Sequence, residues 1–381
     1  MTKKKVLIVH NKYRNLGGED LAVDNEIEFL QEHFNVEVLY FTNKVLIVKQ
    51  ILTFISNKNF FAERKILKKV HDFNPEIVYF HNTWFNIWNN IFIRLGKKTN
   101  IQIFLKLHNY RFDCTKTYSA KSHFHNSKVC MGCGGESKSK QYFNKYFDNS
   151  YIKSFLVNYY GKRYYNILKN ENIKILNLTN FQREFMINKG FNKQRLFVFP
   201  NLIKLENFQE IKCSDYVLYA GRISNEKGVS ELIDIFSSVK TNYKLLIIGD
   251  GPEANNLKIK KNKNIKFLGE LNHHKTLSYI NSAKAVITNT KLYEGQPTLL
   301  CEASLLSVPS IFPDNGGIKE FFPKDYQLKF NHNNTNSLRN ILKNLDSFDL
   351  IALGKQNFTF TKNILNNEKL SKKFMDIYNN G

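Results

Sequence analysis

Short apolar runs alternate with stretches in which apolar residues recur every three or four positions. Residues 6–10 read as a strand and 11–18 as a loop. Val23, Ile27, Leu30 and Phe34 then fall at helical spacing, and 36–41 is a second strand. This order predicts a parallel sheet with right-handed crossovers. Further strands are expected at 77–81, 101–108, 173–179 and 196–200. A second series follows at 216–221, 244–249, 265–269, 285–289 and 310–313. Between its first two strands, Val229, Leu232, Ile233 and Phe236 form an apolar helical stripe. The pattern predicts an α/β chain of two Rossmann-like halves, residues 1–200 and 201–365. A closing helix within 366–381 is expected to pack back on the first half, and an insertion is expected near 112–150. Open α/β sheets bind ligands beyond the carboxyl ends of their strands, so the residues just after each strand are the candidates for chemistry.

Composition narrows the class. Of 381 residues, 42% are hydrophobic and 23% charged, which suits packed cores and excludes a disordered or fibrous chain. The net charge of +23 predicts an anionic partner: nucleic acid, a membrane surface or a phosphorylated substrate. A general Lys and Asn bias accounts for part of that excess. No run approaches the ~20 apolar residues that a membrane span needs. The basic start is followed by only four apolar residues, too few for a signal peptide. Five cysteines, an odd count, do not suggest a disulfide framework. The expected location is the cytosol.

Three segments carry candidate chemistry. The first is Tyr293-Glu294-Gly295-Gln296-Pro297-Thr298-Leu299-Leu300-Cys301-Glu302-Ala303, after the predicted strand 285–289. Pro297 suits the first helical position. The free N–H groups of Thr298 and Leu299 would then favour phosphate or sugar oxygens. Glu294 precedes the helix and Glu302 lies about 8 Å along it, at 1.5 Å per residue. Two carboxylates so placed can grip hydroxyls at two ends of an extended ligand. An acidic loop with an exposed helical Glu is the plain alternative. The second segment is Gly221-Arg222-Ile223-Ser224-Asn225-Glu226-Lys227-Gly228, where a guanidinium and an ammonium at a strand end can stabilise a diphosphate leaving group. A basic surface loop is the alternative. The third is 11–19, where Gly17 and Gly18 would let a ligand approach the backbone. It is not G-x-G-x-x-G, and a tight turn is the alternative.

Together these motifs resemble glycosyltransferase family 4. The resemblance rests on Gly221-Arg222 with Lys227-Gly228, then 248–252, then 267–269, then the two glutamates, in that order. In the first half it adds 75–82, His108-Asn109-Tyr110-Arg111, 179–184 and 198–201. It implies the GT-B fold, two Rossmann-like domains with parallel sheets facing a cleft, with an acceptor-binding first domain and a nucleotide-sugar-binding second. It implies retaining sugar transfer from a nucleotide sugar, most simply a UDP-sugar. Arg222 and Lys227 would hold the diphosphate, Glu302 the ribose hydroxyls and Glu294 those of the transferred sugar. Backbone N–H groups from Gln296 through Pro297 and Thr298 to Leu299 would line the donor (Pro297 itself has none). Gly17 and Gly18 would let the first loop close, and His108 would sit near the anomeric carbon. In this family the donor phosphate helps to deprotonate the acceptor, so no protein nucleophile is required. The chain has no Asp-x-Asp, so transfer without a catalytic metal or other cofactor is expected. Residues 307–310 depart from the family's Gly-x-Pro-Val, but Pro309 remains.

The resemblance also bears on the remaining candidates. His10 and His81 end strands and read as hydrogen-bonded structural histidines; His108 reads as functional. Cys114, Cys130 and Cys133, with His123 and His125 between them, could clip a structural zinc. Free thiols in a long loop are the equal alternative. Residues 44–70 and 137–170 each carry seven Lys/Arg and one acidic residue among many apolar side chains. They suit an anionic membrane surface and a polyprenyl-diphosphate-linked glycan acceptor; a solvated basic face is the alternative. The reading is an enzyme extending a bacterial surface polysaccharide such as capsule or O-antigen, peripheral on the cytoplasmic membrane face. A same-fold epimerase and a non-catalytic nucleotide-sugar binder stay open. Nucleic acid is not an expected partner, since no binding module is recognised.

Overall fold

The computed structural model describes residues 3–12, 18–42, 59–84, 87, 89–98, 100–115, 145, 147, 149–205, 208–209, 211, 215–259, 262–332 and 334–380. The chain divides into two units, Met1–Leu202 with Asn367–Gly381, and Ile203–Asn366.

The first unit carries a six-stranded sheet of β1 (Lys5–Lys12), β2 (Asn35–Thr42), β3 (Ile77–Phe80), β4 (Gln102–Leu107), β5 (Lys174–Asn177) and β6 (Leu196–Val198). The order is β2-β1-β3-β4-β5-β6 and every pairing is parallel. Such a sheet needs cover on both faces, which is why β3 reads Ile-Val-Tyr-Phe with all four residues buried. The helix Asn367–Asn379 belongs to this unit. Its Phe374 is fully buried, with ring centroids 5.4–5.8 Å from Phe34, Tyr79, Phe104 and Phe199. That burial is worth about 1.5–3 kcal/mol. Gln102 Nε2 and Lys174 Nζ donate to carbonyls in the last turn of this helix, at 3.1 and 2.5 Å.

The second unit repeats the scheme with β7 (Tyr216–Ala220), β8 (Lys244–Ile248), β9 (Ile265–Gly269), β10 (Ala285–Ile287), β11 (Ser310–Pro313) and β12 (Lys329–Phe330). The order is β12-β11-β10-β7-β8-β9, again all parallel. Each sheet thus has a point from which the chain winds both ways. In the first unit this lies between β1 and β3, in the second between β7 and β10. Loops that leave these adjacent strands at the carboxyl end face each other, which is where open α/β sheets form crevices. The α/β architecture and both strand series are as the apolar pattern predicts. The two-residue β12 is an addition. The helix expected to begin at Pro297 runs Thr298–Leu305, with Pro297 outside it at ψ 83. Among the described residues no helix is long and apolar enough to cross a membrane.

Candidate active site

In the second unit the loops after β7 and β10 are stitched together. Gly228 holds φ +67, and a Cβ there would lie 2.2 Å from the Asn289 carbonyl oxygen, so only glycine fits. Asn289 Nδ2 in turn donates to the Gly228 carbonyl at 3.0 Å. Lys291 N donates to the Glu226 carbonyl at 2.9 Å. A second close approach joins β7 to β8: a Cβ on Gly249 would meet the Gly221 carbonyl oxygen at 2.0 Å.

This stitching brings Lys227 and Glu294 together across 67 residues of sequence. Lys227 Nζ donates to Glu294 Oε1 at 2.5 Å, and Thr290 Oγ1 donates to the same oxygen at 2.8 Å. The Glu294 main chain is held too. Gly317 N donates to its carbonyl at 3.0 Å, and Asn315 Nδ2 donates to the carbonyls of Lys291 and Leu292. Arg222 is exposed and meets no carboxylate among the described residues, so its guanidinium is open to an anion. Its carbonyl accepts from Tyr219 OH at 2.9 Å, fixing the turn. Burial, with the Glu294 and Glu226 charges nearby, pushes the Tyr219 hydroxyl pKa up, so it remains a donor.

Glu302 is buried rather than exposed. One oxygen lies 2.9 Å from His273 Nε2, at the start of the helix His273–Asn281. Its neighbour Cys301 is fully buried, and burial with the adjacent Glu302 charge pushes the thiol pKa well up. Gln296 is buried, while Pro297, Thr298 and Leu299 are half-buried at the mouth of the Thr298–Leu305 helix. The loops after β7 and β10 thus carry Arg222, Lys227, Glu294 and Gln296, and the helix after them carries Thr298, Leu299 and Glu302; of these the structure pairs Lys227 with Glu294. His273, Thr290 and Asn289 are partners that the motif pattern did not single out.

The first unit has a small pocket beyond its own strand ends. Glu19, His81, Trp84, His108, Arg111 and Tyr164 are among its lining residues. His108, just after β4, is half-buried, and its Nε2 lies 3.1 Å from Nδ1 of buried His81. Burial drives both imidazole pKa values well below the usual range; the His108 charge for His81, and Lys106 and His10 for both, act the same way. Below the pair lies a buried polar cluster. Lys106 Nζ and Tyr79 OH each donate to Glu26 at 2.5 Å. His10 Nε2 contacts Asp20 Oδ1 at 2.8 Å, the hydrogen-bonded structural role expected of it.

Gly18 opens the helix Gly18–His33, and a Cβ there would meet nothing within 4 Å, so packing does not require glycine at this position. Gly17, Cys130 and Cys133 lie outside the described residues. Cys114 is buried. Among the described residues no group of three or more His, Cys, Asp and Glu is placed to hold a metal.

Two Rossmann-like units with all-parallel sheets define the GT-B class of fold. Solved structures share it along the whole chain. Sucrose-phosphate synthase from Thermosynechococcus elongatus superposes with a TM-score of 0.69 at 14% identity, over 99% of this chain and 98% of that one. Anabaena HepE in complex with UDP and glucose gives 0.66 at 13% identity, over 98% of each. The family is narrower: residues 204–346 match the Glycosyl transferases group 1 family. A protein of Bacillus subtilis (strain 168) named as the teichuronic acid biosynthesis glycosyltransferase TuaC is 32% identical over 111 residues. That match covers 29% of this chain and 28% of TuaC. The amylovoran biosynthesis glycosyltransferase AmsD of Erwinia amylovora is 30% identical over 149 residues, 36% of this chain and 42% of AmsD. The chain thus matches less than half the length of these two relatives.

Proposed function

We propose that the protein is a retaining glycosyltransferase of family 4 type, acting in bacterial surface polysaccharide synthesis. The observation that carries this is the pairing of Lys227 with Glu294 across the loops after β7 and β10, with exposed Arg222 on the first of these loops and buried Glu302 in the helix after the second, all within residues 204–346. Arg222 and Lys227 hold the donor diphosphate. Lys227 has three N–H donors, so it can keep Glu294 while reaching a phosphate. Glu302, oriented by His273, accepts from the ribose hydroxyls, and Glu294 from hydroxyls of the transferred sugar. The N–H groups of Thr298 and Leu299 add the positive end of a helix.

In the reaction the bond between the anomeric carbon and the diphosphate oxygen breaks, and its electron pair leaves with the nucleotide diphosphate. The acceptor oxygen forms the new bond on the same face, and its proton passes to the departing phosphate. Arg222 and Lys227 stabilise the charge that grows on the leaving group. The donor is a UDP-sugar, a reading supported by the fold that HepE, itself bound to UDP, shares with this chain. The reaction uses no catalytic metal.

The acceptor is a glycan on a lipid diphosphate, met at the cytoplasmic face of an anionic membrane. Support comes from the helix Tyr151–Asn170, which exposes Tyr151, Ile152, Phe155 and Tyr159 along one side. The helix carries Lys153, Lys162, Arg163 and Lys169 and no acidic residue. Residues 44–58 of the other basic segment, 44–70, lie outside the described residues.

The test is incubation with UDP-glucose, UDP-galactose, UDP-N-acetylglucosamine and their GDP, ADP, dTDP and CMP counterparts. Proton NMR then follows nucleotide release and the configuration of the sugar first formed. Release from one nucleotide family, with the donor's configuration kept, is the expected result. Inversion would remove the retaining mechanism. No release, and no thermal stabilisation by any nucleotide at millimolar concentration, would remove the enzyme.

A further inference from the structure

The hydrogen bond between His81 and His108 ties their protons together. A neutral imidazole carries one N–H and one lone pair. Burial and the neighbouring cations keep both rings neutral. The bond joins His81 Nδ1 to His108 Nε2. If His81 Nδ1–H donates, His108 accepts at Nε2 and must carry its proton on Nδ1. If His108 Nε2–H donates, His81 must carry its proton on Nε2. In either case both rings are the same tautomer. The two outer nitrogens, His81 Nε2 and His108 Nδ1, are then always one donor and one acceptor.

Those outer nitrogens are buried and meet no hydrogen-bond partner among the described residues. His81 is only 3% exposed, and an unmade buried hydrogen bond costs about 1–3 kcal/mol. Both rings line the pocket that Trp84 and Tyr164 also wall. The His81 ring is fixed from behind by Tyr79, 4.4 Å away between centroids, and its N–H backbone is held by the Val9 carbonyl at 3.2 Å. His81 is therefore the rigid member of the pair, and half-buried His108 the one nearer the opening.

We infer that His81 is a positioning residue that sets the proton on His108, so that the pair presents one N–H and one lone pair at its two far ends, each to a hydroxyl of an uncharged sugar. A hydroxyl both donates and accepts, so it can answer either end, whichever way the protons lie. A phosphate or carboxylate finds one donor only, and a cation finds one acceptor. The inference rests on the glycosyltransferase reading for the identity of the ligand, but not for the pairing itself.

The test is nitrogen-15 NMR of histidine-labelled full-length protein at pH 7.5, with His81→Phe and His81→Asn beside the wild type. The expected result is two neutral rings of the same tautomer in the wild type. In His81→Phe, His108 should show mixed tautomers. His81→Asn, which returns an amide near the lost Nδ1, should restore a single one. Opposite tautomers in the wild type, or an unchanged His108 in His81→Phe, would overturn the inference. The wild-type spectrum needs no variant, so a failure of His81→Phe to fold does not protect it. In parallel, UDP release is measured from whichever of UDP-glucose, UDP-galactose and UDP-N-acetylglucosamine the wild type turns over. For His81→Phe kcat should fall about tenfold to a hundredfold with KM little changed, and His81→Asn should recover most of it. Equal kcat in His81→Phe would contradict the positioning role. No turnover in the wild type, with the tautomers still matched, would remove the glycosyltransferase reading and leave the pairing in place.

Discussion

The two crevices are built on the same sheet topology and hold opposite chemistry. Beyond β7 and β10 the side chains are charged and partly open: Arg222 is exposed, Lys227 and Glu294 are half-buried, and only Glu302 is deep. Beyond β1, β3 and β4 the paired imidazoles of His81 and His108, whose pKa values burial pushes well down, line a pocket with Glu19 and Arg111, and Lys106 and Glu26 form a sealed ion pair. Exposed charge can exchange partners and meet an incoming anion. Sealed charge cannot, and serves to hold the groups above it. The topology supplies a crevice in each unit; on the proposed function, the burial of its charges decides whether that crevice takes a diphosphate or a hydroxyl.

The largest expected effect separates the two kinds of lysine. Lys106→Met leaves Glu26 charged and sealed, which should cost about 3–5 kcal/mol of stability. Urea unfolding would measure it. Nucleotide affinity of the folded variant should not change, and a stability within about 1 kcal/mol of wild type would break the assignment of Lys106 as structural.

Lys227→Met should do the reverse. Its pair with Glu294 is partly exposed and worth at most about 1 kcal/mol to the fold. Turnover should fall by about 10²–10³, the usual loss when one stabilising donor is removed from developing negative charge. Steady-state rates of UDP release check it; a loss under threefold would contradict the role.

Glu302→Gln sharpens the comparison within the second unit. It removes the charge that meets His273 and the proposed ribose. Hydrogen bonds to charged groups contribute about 1.5–3 kcal/mol, so nucleotide affinity should fall by about tenfold to a hundredfold. Titration calorimetry would read it, and an unchanged affinity would place the ribose elsewhere.

Near neutral pH the smallest effect is a pH dependence, which grows as the medium is acidified. His81 and His108 have folded pKa values well below the ordinary value of about 6.5 that they regain on unfolding. Between those values the unfolded chain binds more protons, so stability rises with pH. It should be fully present above about pH 7 and fall as pH drops below about 6.5, by up to about 1.4 kcal/mol per pH unit for each ring. His81→Asn should flatten this slope. An equal slope in wild type and variant would show that the protons come from elsewhere.

Much of this was legible in the sequence, for identifiable reasons. Buried parallel strands are continuous apolar runs, so 77–80 and 285–287 announce themselves. Glu294 and Glu302 stand beside a proline-marked helix start, and Lys227 beside a glycine that the fold needs at positive φ. Partners brought by tertiary structure were not legible. His273 reaches Glu302 from another helix, 29 residues away in sequence. Lys106 hides in a strand where an apolar residue would be expected, and its partner Glu26 sits on a helix whose spacing marks only the apolar side. His81 read as structural because sequence does not reveal that its ring meets His108. The buried state of Glu302 was also out of reach, since the 3.6-residue period places it without saying what covers it.

The most direct test of the account is a calorimetric titration of UDP into four proteins: the wild type, Lys227→Met, Glu302→Gln and His108→Phe. The account predicts binding to the wild type, affinity at least about tenfold weaker in the two second-unit variants, and an affinity for His108→Phe within about twofold of wild type, since it assigns the diphosphate and ribose to residues of the second unit. Undiminished UDP binding to Lys227→Met and Glu302→Gln would contradict it.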